Sequence, residues 1–418
     1  MLRANHFEDN DNDISDDEDA VASSSQPTNN NPTGINQYKD CPNAKDAHIE
    51  QLIRAYDRQG ICNRELVSEM LLVQHGYTMS PRTVSRCRKL FGLMGSGATT
   101  RALSAEEVSQ LVLDQMAKDP TSQRGPKTVK EGILFDTGKH VKRSTICSTM
   151  KIYDPQGSII REPGAKKVRR GVLTALGLHH EWSGDGHDKL TEIGFPIWGM
   201  KDKWSAQWLG LWVVPNNRLK ASIAYLYLSL IKKHGGMPIQ TSTDCGSETT
   251  EVFGFANALR EMFSPNIDIN ALPAHRFLKS IHNITIERGW LCFRLQFGDN
   301  VKVFWDAGTA LYVDSNPEHY HLAQWLWSKL IQAELDLLVA KFNTHVIRKD
   351  KKKLLPSGVS PNVAMVLPHK YGGEQCLQPV DIKVVDKLME TIGSETLEFV
   401  TSAYADYAQS VYASLHIG

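Results

Sequence analysis

Two short runs in the middle of this chain that read as strands each lead into an aspartate, and a helical stretch beyond them carries a glutamate. Leu178 to Ser183 runs into Asp185, Pro238 to Thr243 ends at Asp244, and Glu287 lies in the segment Asn283 to Leu291. This arrangement constrains the fold. Carboxylates at strand ends and on a neighbouring helix meet only if the strands share a sheet and the helix packs on it. The surrounding pattern agrees. Ile193 to Met200 and Trp208 to Val214 read as two further strands, the latter ending at Pro215-Asn216-Asn217. Ile223 to Lys233 is an amphipathic helix closed by Gly235-Gly236, and Glu251 to Met262 is another. Three strands, a helix, a strand, a helix and a later helix describe an α/β region: a mixed sheet flanked by helices.

The preceding region has a different texture. Ile49, Leu52, Ile53 and Tyr56 recur at helical spacing until Gly60, and Leu66, Met70, Leu71 and Val73 form a second stripe ending at Gly76. Ser80-Pro81 opens a third helix, with an N-cap hydroxyl before proline at the first helical position. That helix carries Arg82, Arg86, Arg88 and Lys89. A short helix, a turn and a basic helix outline a helix-turn-helix over 45–95, whose second helix enters a DNA major groove. The alternative is a small bundle with a solvated basic face. A second such unit is expected over 100–155. Ser104 and Glu107 form a capping box, and helices follow at Lys127 to Phe135 and Lys142 to Tyr153, the last with Lys142, Arg143 and Lys151. Residues 154–171 read as a basic linker.

Charge divides the chain in the same way. Residues 1–40 hold 2 basic and 9 acidic side chains, a balance of −7, and few apolar ones. Such a segment is expected to be a disordered acidic tail. Residues 41–175 hold 22 basic and 13 acidic side chains, a balance of +9, although the whole chain is formally neutral. An acidic tail beside a basic region suggests a polyanionic partner. The seven cysteines stand singly, with no C-x-x-C pair, so neither a zinc finger nor a disulfide framework is predicted. A reducing intracellular compartment fits, and no apolar run suggests a membrane span. Lys166 to Arg170 and Arg348 to Lys353 are short basic runs of the kind that nuclear import uses.

An aspartate before glycine is usually a turn residue, and a Glu-Arg pair on a helix is usually solvated. The joint order of Asp185, Asp244 and Glu287 distinguishes them from that background. Asp188 and Asp202 are rival first ligands: Asp188 falls past the Gly186 turn, and Asp202 sits at a second-hairpin position. Divalent metals that act on phosphodiesters prefer hard oxygen ligands. Two such ions can hold both the attacking and the leaving oxygen of an in-line displacement.

Residues from about 172 to 365 resemble the integrase core of retroviral integrases and DDE transposases, an RNase H-like fold, and most closely eukaryotic proteins of transposon origin. The match is carried by Trp182 to Leu190, Asp202 with Ser205, Pro215 to Arg218, Gly236-Met237-Pro238, Asp244 to Gly246 with Glu248, and Ser280 to Arg288. Phe342 to His345 with Pro361 resembles the sequence trailing such cores. The resemblance implies that Asp185, Asp244 and Glu287 are catalytic and bind two Mg²⁺ or Mn²⁺ ions. It implies a DNA strand-cleaving and strand-joining enzyme, a nuclear location and a homo-oligomer that pairs two DNA ends. Gly246 is expected to let the chain turn after the second ligand. Lys189, His187, Arg288 and Asn283 are expected to face substrate, with Arg82, Arg86, Lys89, Lys142 and Arg143 on DNA further out. The alternatives are a domesticated remnant that binds DNA without cutting it, and an RNase H-like nuclease acting on RNA or hybrids. The interval from Asp244 to Glu287 is longer than in retroviral integrases, with an insertion expected near Ser264 to Lys279. The retroviral zinc domain is absent, since His179-His180 has no cysteine pair behind it. Tyr320 to Leu337 reads as a long helix with core packing, and 366–418 as a C-terminal extension.

Overall fold

The computed structural model describes residues 46–161, 174–278, 283–313 and 315–415. The acidic tail, most of the basic linker and Ser280 to His282 lie outside the described residues. Two compact units result. One takes the chain up to Met116 with Gly125–Ser158, and the other takes Ala117–Arg124 with the chain from Ile159 onward.

The first unit is all helical: α1 (Ala47–Arg58), α2 (Arg64–His75), α3 (Pro81–Leu90), α4 (Ser96–Ala102), α5 (Ala105–Ala117), α6 (Pro126–Thr137) and α7 (Arg143–Tyr153), followed by the short α8 (Pro155–Ile160). The starts follow from side-chain caps. Asn63 accepts from Leu66 N at 2.9 Å, and Ser80 accepts from Thr83 N at 3.1 Å ahead of Pro81. The predicted capping box is reciprocal: Glu107 N donates to Ser104 Oγ at 3.1 Å and Ser104 N to Glu107 Oε2 at 2.8 Å. α2 and α6 stop at Gly76 and Gly138, both in the left-handed region that suits glycine. The buried stripe of α2 is Val67, Met70 and Leu71, so Val73 faces solvent, contrary to the sequence reading. Val108, Val112, Ile133 and Ile146 close a second cluster under α5, α6 and α7.

The second unit contains β1 (Gly177–Leu178), β2 (Glu181–His187), β3 (Ile197–Asp202), β4 (Trp208–Val213), α9 (Lys220–His234), β5 (Gly236–Met237), β6 (Gln240–Asp244), α10 (Thr250–Phe263), β7 (His275–Leu278), α11 (Ile284–Phe293), α12 (Asp299–Gly308), α13 (Pro317–Thr344), α14 (Pro361–Val366), β8 (Glu374–Gln375), β9 (Gln378–Pro379), α15 (Ile382–Ile392) and α16 (Ser402–Ser414). The main sheet has the order β4-β3-β2-β6-β7. Its first three strands are antiparallel, and β2, β6 and β7 run parallel. This is the mixed sheet flanked by helices that the sequence predicts, with one correction. The stretch near 264–279 is not only an insertion, because β7 within it forms the fifth strand.

Strand alternation gives the sheet two apolar faces. Trp182, Trp198 and Met200 pack under α9, α10 and α15, while Ile197, Leu211 and Trp208 pack against α11, α12 and α13. The free edge of β4 is covered by amides from α13. Asn343 Oδ1 accepts from Trp208 N and its Nδ2 donates to Trp208 O, both at 2.9 Å. Gln332 repeats this at Val213 N and Leu211 O, at 3.1 Å each. The segment after 366 packs into the same unit: β8 pairs with β1, β9 with β5, and Val385 of α15 is fully buried in the α9 cluster. No helix among the described residues is long and apolar enough to cross a membrane.

Candidate active site

Asp185 lies in β2, opposite Gly199 of β3, on the sheet face that receives α11. Asp244 is the last residue of β6, and Glu287 stands in the first turn of α11. β2 and β6 are neighbours, and α11 packs across β2 and β3. All three carboxylates therefore line one cleft of about 410 Å³, together with Asn217, Arg218, Glu248 and Trp290. Asp185 is buried, whereas Glu287 is exposed at the rim.

Trp290 fixes the first carboxylate. Its indole Nε1 donates to Asp185 Oδ2 at 2.9 Å, and Gly186 N donates to Oδ1 at 2.9 Å. One helical turn separates Trp290 from Glu287, so one helix face supplies both a carboxylate and the orienting donor. Gly199 makes room for this ring: a Cβ there would lie 2.7 Å from the Trp290 Cη2. His187 stacks on Trp290 with ring centroids 4.9 Å apart, and burial pushes its imidazole down to about 4. The neutral ring packs the site and brings no positive charge to it.

The electrostatics reveal the strain of gathering like charges. Burial first, then the Asp244 charge, push the Asp185 carboxyl up to about 7, with Glu287 adding to the rise and the Trp290 donor opposing it. Asp244 is also raised, by burial and then by Glu248, and Arg218 partly offsets this. Glu287 is raised by burial and by Asp244. An all-oxygen donor set under mutual repulsion fits a divalent cation, which would favour the ionised form of each group. The trio is nonetheless open. Among the described residues, the three-residue set with all ligating atoms within 4.8 Å of one another is Asp57, Cys62 and His140, not this one.

Sequence reasoning missed the layer beside the trio. Arg218 bonds Asp188 at 2.6 Å and Glu248 at 3.2 Å, and Asn217 Nδ2 donates to Asp188 Oδ1 at 2.6 Å. Asp188 is thus held at the cleft wall by two partners. The signal was available, since Pro215 to Arg218 and Glu248 belong to the ordered motifs, but no role attached to them. Gly246 also has a different reason from the one expected. Its φ is −84°, ordinary for any residue, and a Cβ there would lie 2.1 Å from Glu248 Oε1. It leaves space for a carboxylate and makes no unusual turn.

The rival ligand Asp202 is fully buried at the end of β3, where it accepts from His179 N, Ser205 N and Ser205 Oγ. Asn283 is only 2% exposed. It accepts from Ser183 Oγ and donates to Gly184 O at 3.3 Å, so it ties the start of α11 to β2 and does not face substrate as expected. Lys189 lines the cleft and is exposed, as is Arg288 beside Glu287. In the first unit Arg82, Arg86 and Lys89 are exposed along α3, while Arg88 turns inward to Asp57 at 2.8 Å. Lys142 caps α7 and Arg143 begins it, both half-buried.

Residues 177–360 match a family model described as integrase core domain. No curated protein matches the chain. The family implies a nucleic-acid substrate and normally works with divalent metal. The matched span takes in the five-stranded sheet, the cleft carboxylates and α13 with its edge-covering amides. Over residues 177–360 the chain therefore carries an integrase core domain, of RNase H-like α/β fold.

Proposed function

We propose that this protein is a DNA strand-cleaving and strand-transferring enzyme of the DDE type, of transposon origin. The observation that carries the reading is the convergence of Asp185, Asp244 and Glu287 on one cleft, each with its carboxyl pushed above the ordinary range. Asp185, Asp244 and Glu287 would hold two Mg²⁺ or Mn²⁺ ions, which would supply positive charge to the phosphorane-like transition state. Trp290 holds Asp185 in one orientation, which lowers the reorganisation needed when substrate arrives. Arg218 keeps Asp188 and Glu248 engaged on the cleft wall and offsets part of the charge they set against Asp244. Lys189 on the cleft wall binds a phosphate beside the scissile one, and Arg288, exposed next to Glu287 in the chain, contacts backbone further out. Arg82, Arg86 and Lys89 of α3, with Lys142 and Arg143 of α7, make the outlying DNA contacts of two helix-turn-helix units. A DNA substrate places the work in the nucleus, and joining needs two ends, hence a homo-oligomer.

The test is titration of Mn²⁺ into the full chain, wild type beside Asp185→Asn/Asp244→Asn, with nicking of supercoiled plasmid as a second readout. Carboxylate-dependent binding and nicking lost in the double variant are expected. Equal binding and equal nicking by both proteins would overturn the assignment.

A further inference from the structure

Far along the chain from the acidic cleft, the helical unit brings together three side chains of a different kind. Asp57 lies in the last turn of α1, Cys62 in the link to α2, and His140 in the link between α6 and α7. His140 Nε2 is 3.1 Å from Asp57 Oδ2, Cys62 Sγ is 3.9 Å from His140 Nε2, and Cys62 Sγ is 3.7 Å from Asp57 Oδ1. Tetrahedral zinc with ordinary Zn–S, Zn–N and Zn–O bonds sets its ligand atoms about 3.4–3.6 Å apart. The His140 edge runs to Oδ2 and the Cys62 edge to Oδ1; with one ligand atom from each residue the three lie within 4.8 Å of one another, so an ion fits among them once the side chains draw in by about 1 Å.

The surroundings also suit an ion. Asp57 is only 2% exposed, and Arg88 holds its Oδ1 at 2.8 Å. A charged donor on one carboxylate oxygen leaves the other to a metal and fixes the carboxylate's orientation. Cys62 is exposed, which gives an entry path and leaves a fourth position open to solvent. Thiolate and imidazole together favour zinc over the hard ions of the acidic cleft.

We propose that Asp57, Cys62 and His140 form a zinc-class metal site that straps α1 to the α6–α7 link. Binding takes the thiolate and the neutral imidazole, so the thiol proton and the proton of any imidazolium pass to solvent. The site joins two helical trios that the sequence presents as separate, and so fixes the spacing between α3 and α7. It does not depend on whether the acidic cleft is catalytic.

The test uses Co²⁺ as a spectroscopic stand-in and then Zn²⁺, added to the full chain carrying Asp185→Asn/Asp244→Asn so that the acidic cleft does not contribute. One equivalent of Co²⁺ with a thiolate-to-metal charge-transfer band, displaced by Zn²⁺, is expected. Cys62→Ser should abolish the band and weaken binding by more than the roughly 100-fold that loss of an outer partner costs. Because Cys62 is exposed, that variant keeps the fold, whereas His140→Gln also breaks the contact with Asp57. No band, or a band that survives Cys62→Ser, would overturn the site and leave an Arg88–Asp57–His140 ion-pair network.

Discussion

Replacing Asp185 by asparagine should make the metal-free protein more stable while abolishing the proposed strand cleavage. The Asp185 carboxyl moves from 3.8 to about 7 on folding, because it is buried beside Asp244 and Glu287. A raised folded value means that this group's contribution is fully present below 3.8 and is lost as pH climbs through about 7. Holding it ionised above that range costs about 4 kcal/mol, at 1.36 kcal/mol per pH unit of displacement. Asparagine removes the charge, keeps one acceptor oxygen, and sets an amide NH₂ against either Trp290 Nε1 or Gly186 N. That mismatch costs about 1–3 kcal/mol. The balance is a gain of about 2 kcal/mol, which raises Tm by about 4–8 °C in a unit of this size. Thermal melts in EDTA at about pH 8 and about pH 5 test it, because the benefit should vanish where wild-type Asp185 is already protonated. Added Mg²⁺ should stabilise the wild type by about 2.7 kcal/mol at a hundredfold excess over Kd, and leave the variant nearly unmoved. A variant less stable than wild type in EDTA at about pH 8, or a gap equal at both pH values, would refute the reasoning.

Three further outcomes follow from contacts described above. Trp290→Phe keeps the stack on His187 but removes the donor to Asp185; metal affinity in calorimetry should fall about 10–100-fold, with little change in the far-UV spectrum. Asn283→Ala strips two buried bonds between α11 and β2 and should cost about 2–3 kcal/mol in urea melts, while the salt dependence of DNA binding stays unchanged. If α3 lies along DNA, alanine at Arg82, Arg86 and Lys89 together should reduce the slope of log K against log salt by about 2.7, at about 0.9 per phosphate released.

The acidic trio was legible because each member lies in an element that has its own local signal. Strand-like runs lead into Asp185 within β2 and end at Asp244, and Glu287 lies in the first turn of a helix with the right period. β7 was not legible for the opposite reason. His275 to Leu278 pairs only with β6, two of its four side chains are exposed, and a four-residue edge strand leaves no alternation to read. Trp290 packs in the core and also holds Asp185; that bond spans 105 residues and no spacing rule reaches so far. Asn283 misled because helical periodicity puts it on the face of Glu287 but says nothing of how deeply the start of α11 sinks against β2. Asn343 shows the reverse case: a residue singled out only by resemblance has a plain physical task, sealing both backbone groups of Trp208.

The pairing of β1 with β8 joins Gly177 to Glu374. On a ribosome adding about 5–20 residues per second, roughly 10–40 s pass between making one partner and making the other. Once residue 234 is made α9 is complete, yet the side on which Val385 of α15 comes to rest stays uncovered until α15 follows. The nascent core thus carries an exposed apolar surface, and chaperones that bind such surfaces have their longest opportunity there. Slow codons between 360 and 385 would lengthen it, and expression of the span 177–360 alone would make it permanent.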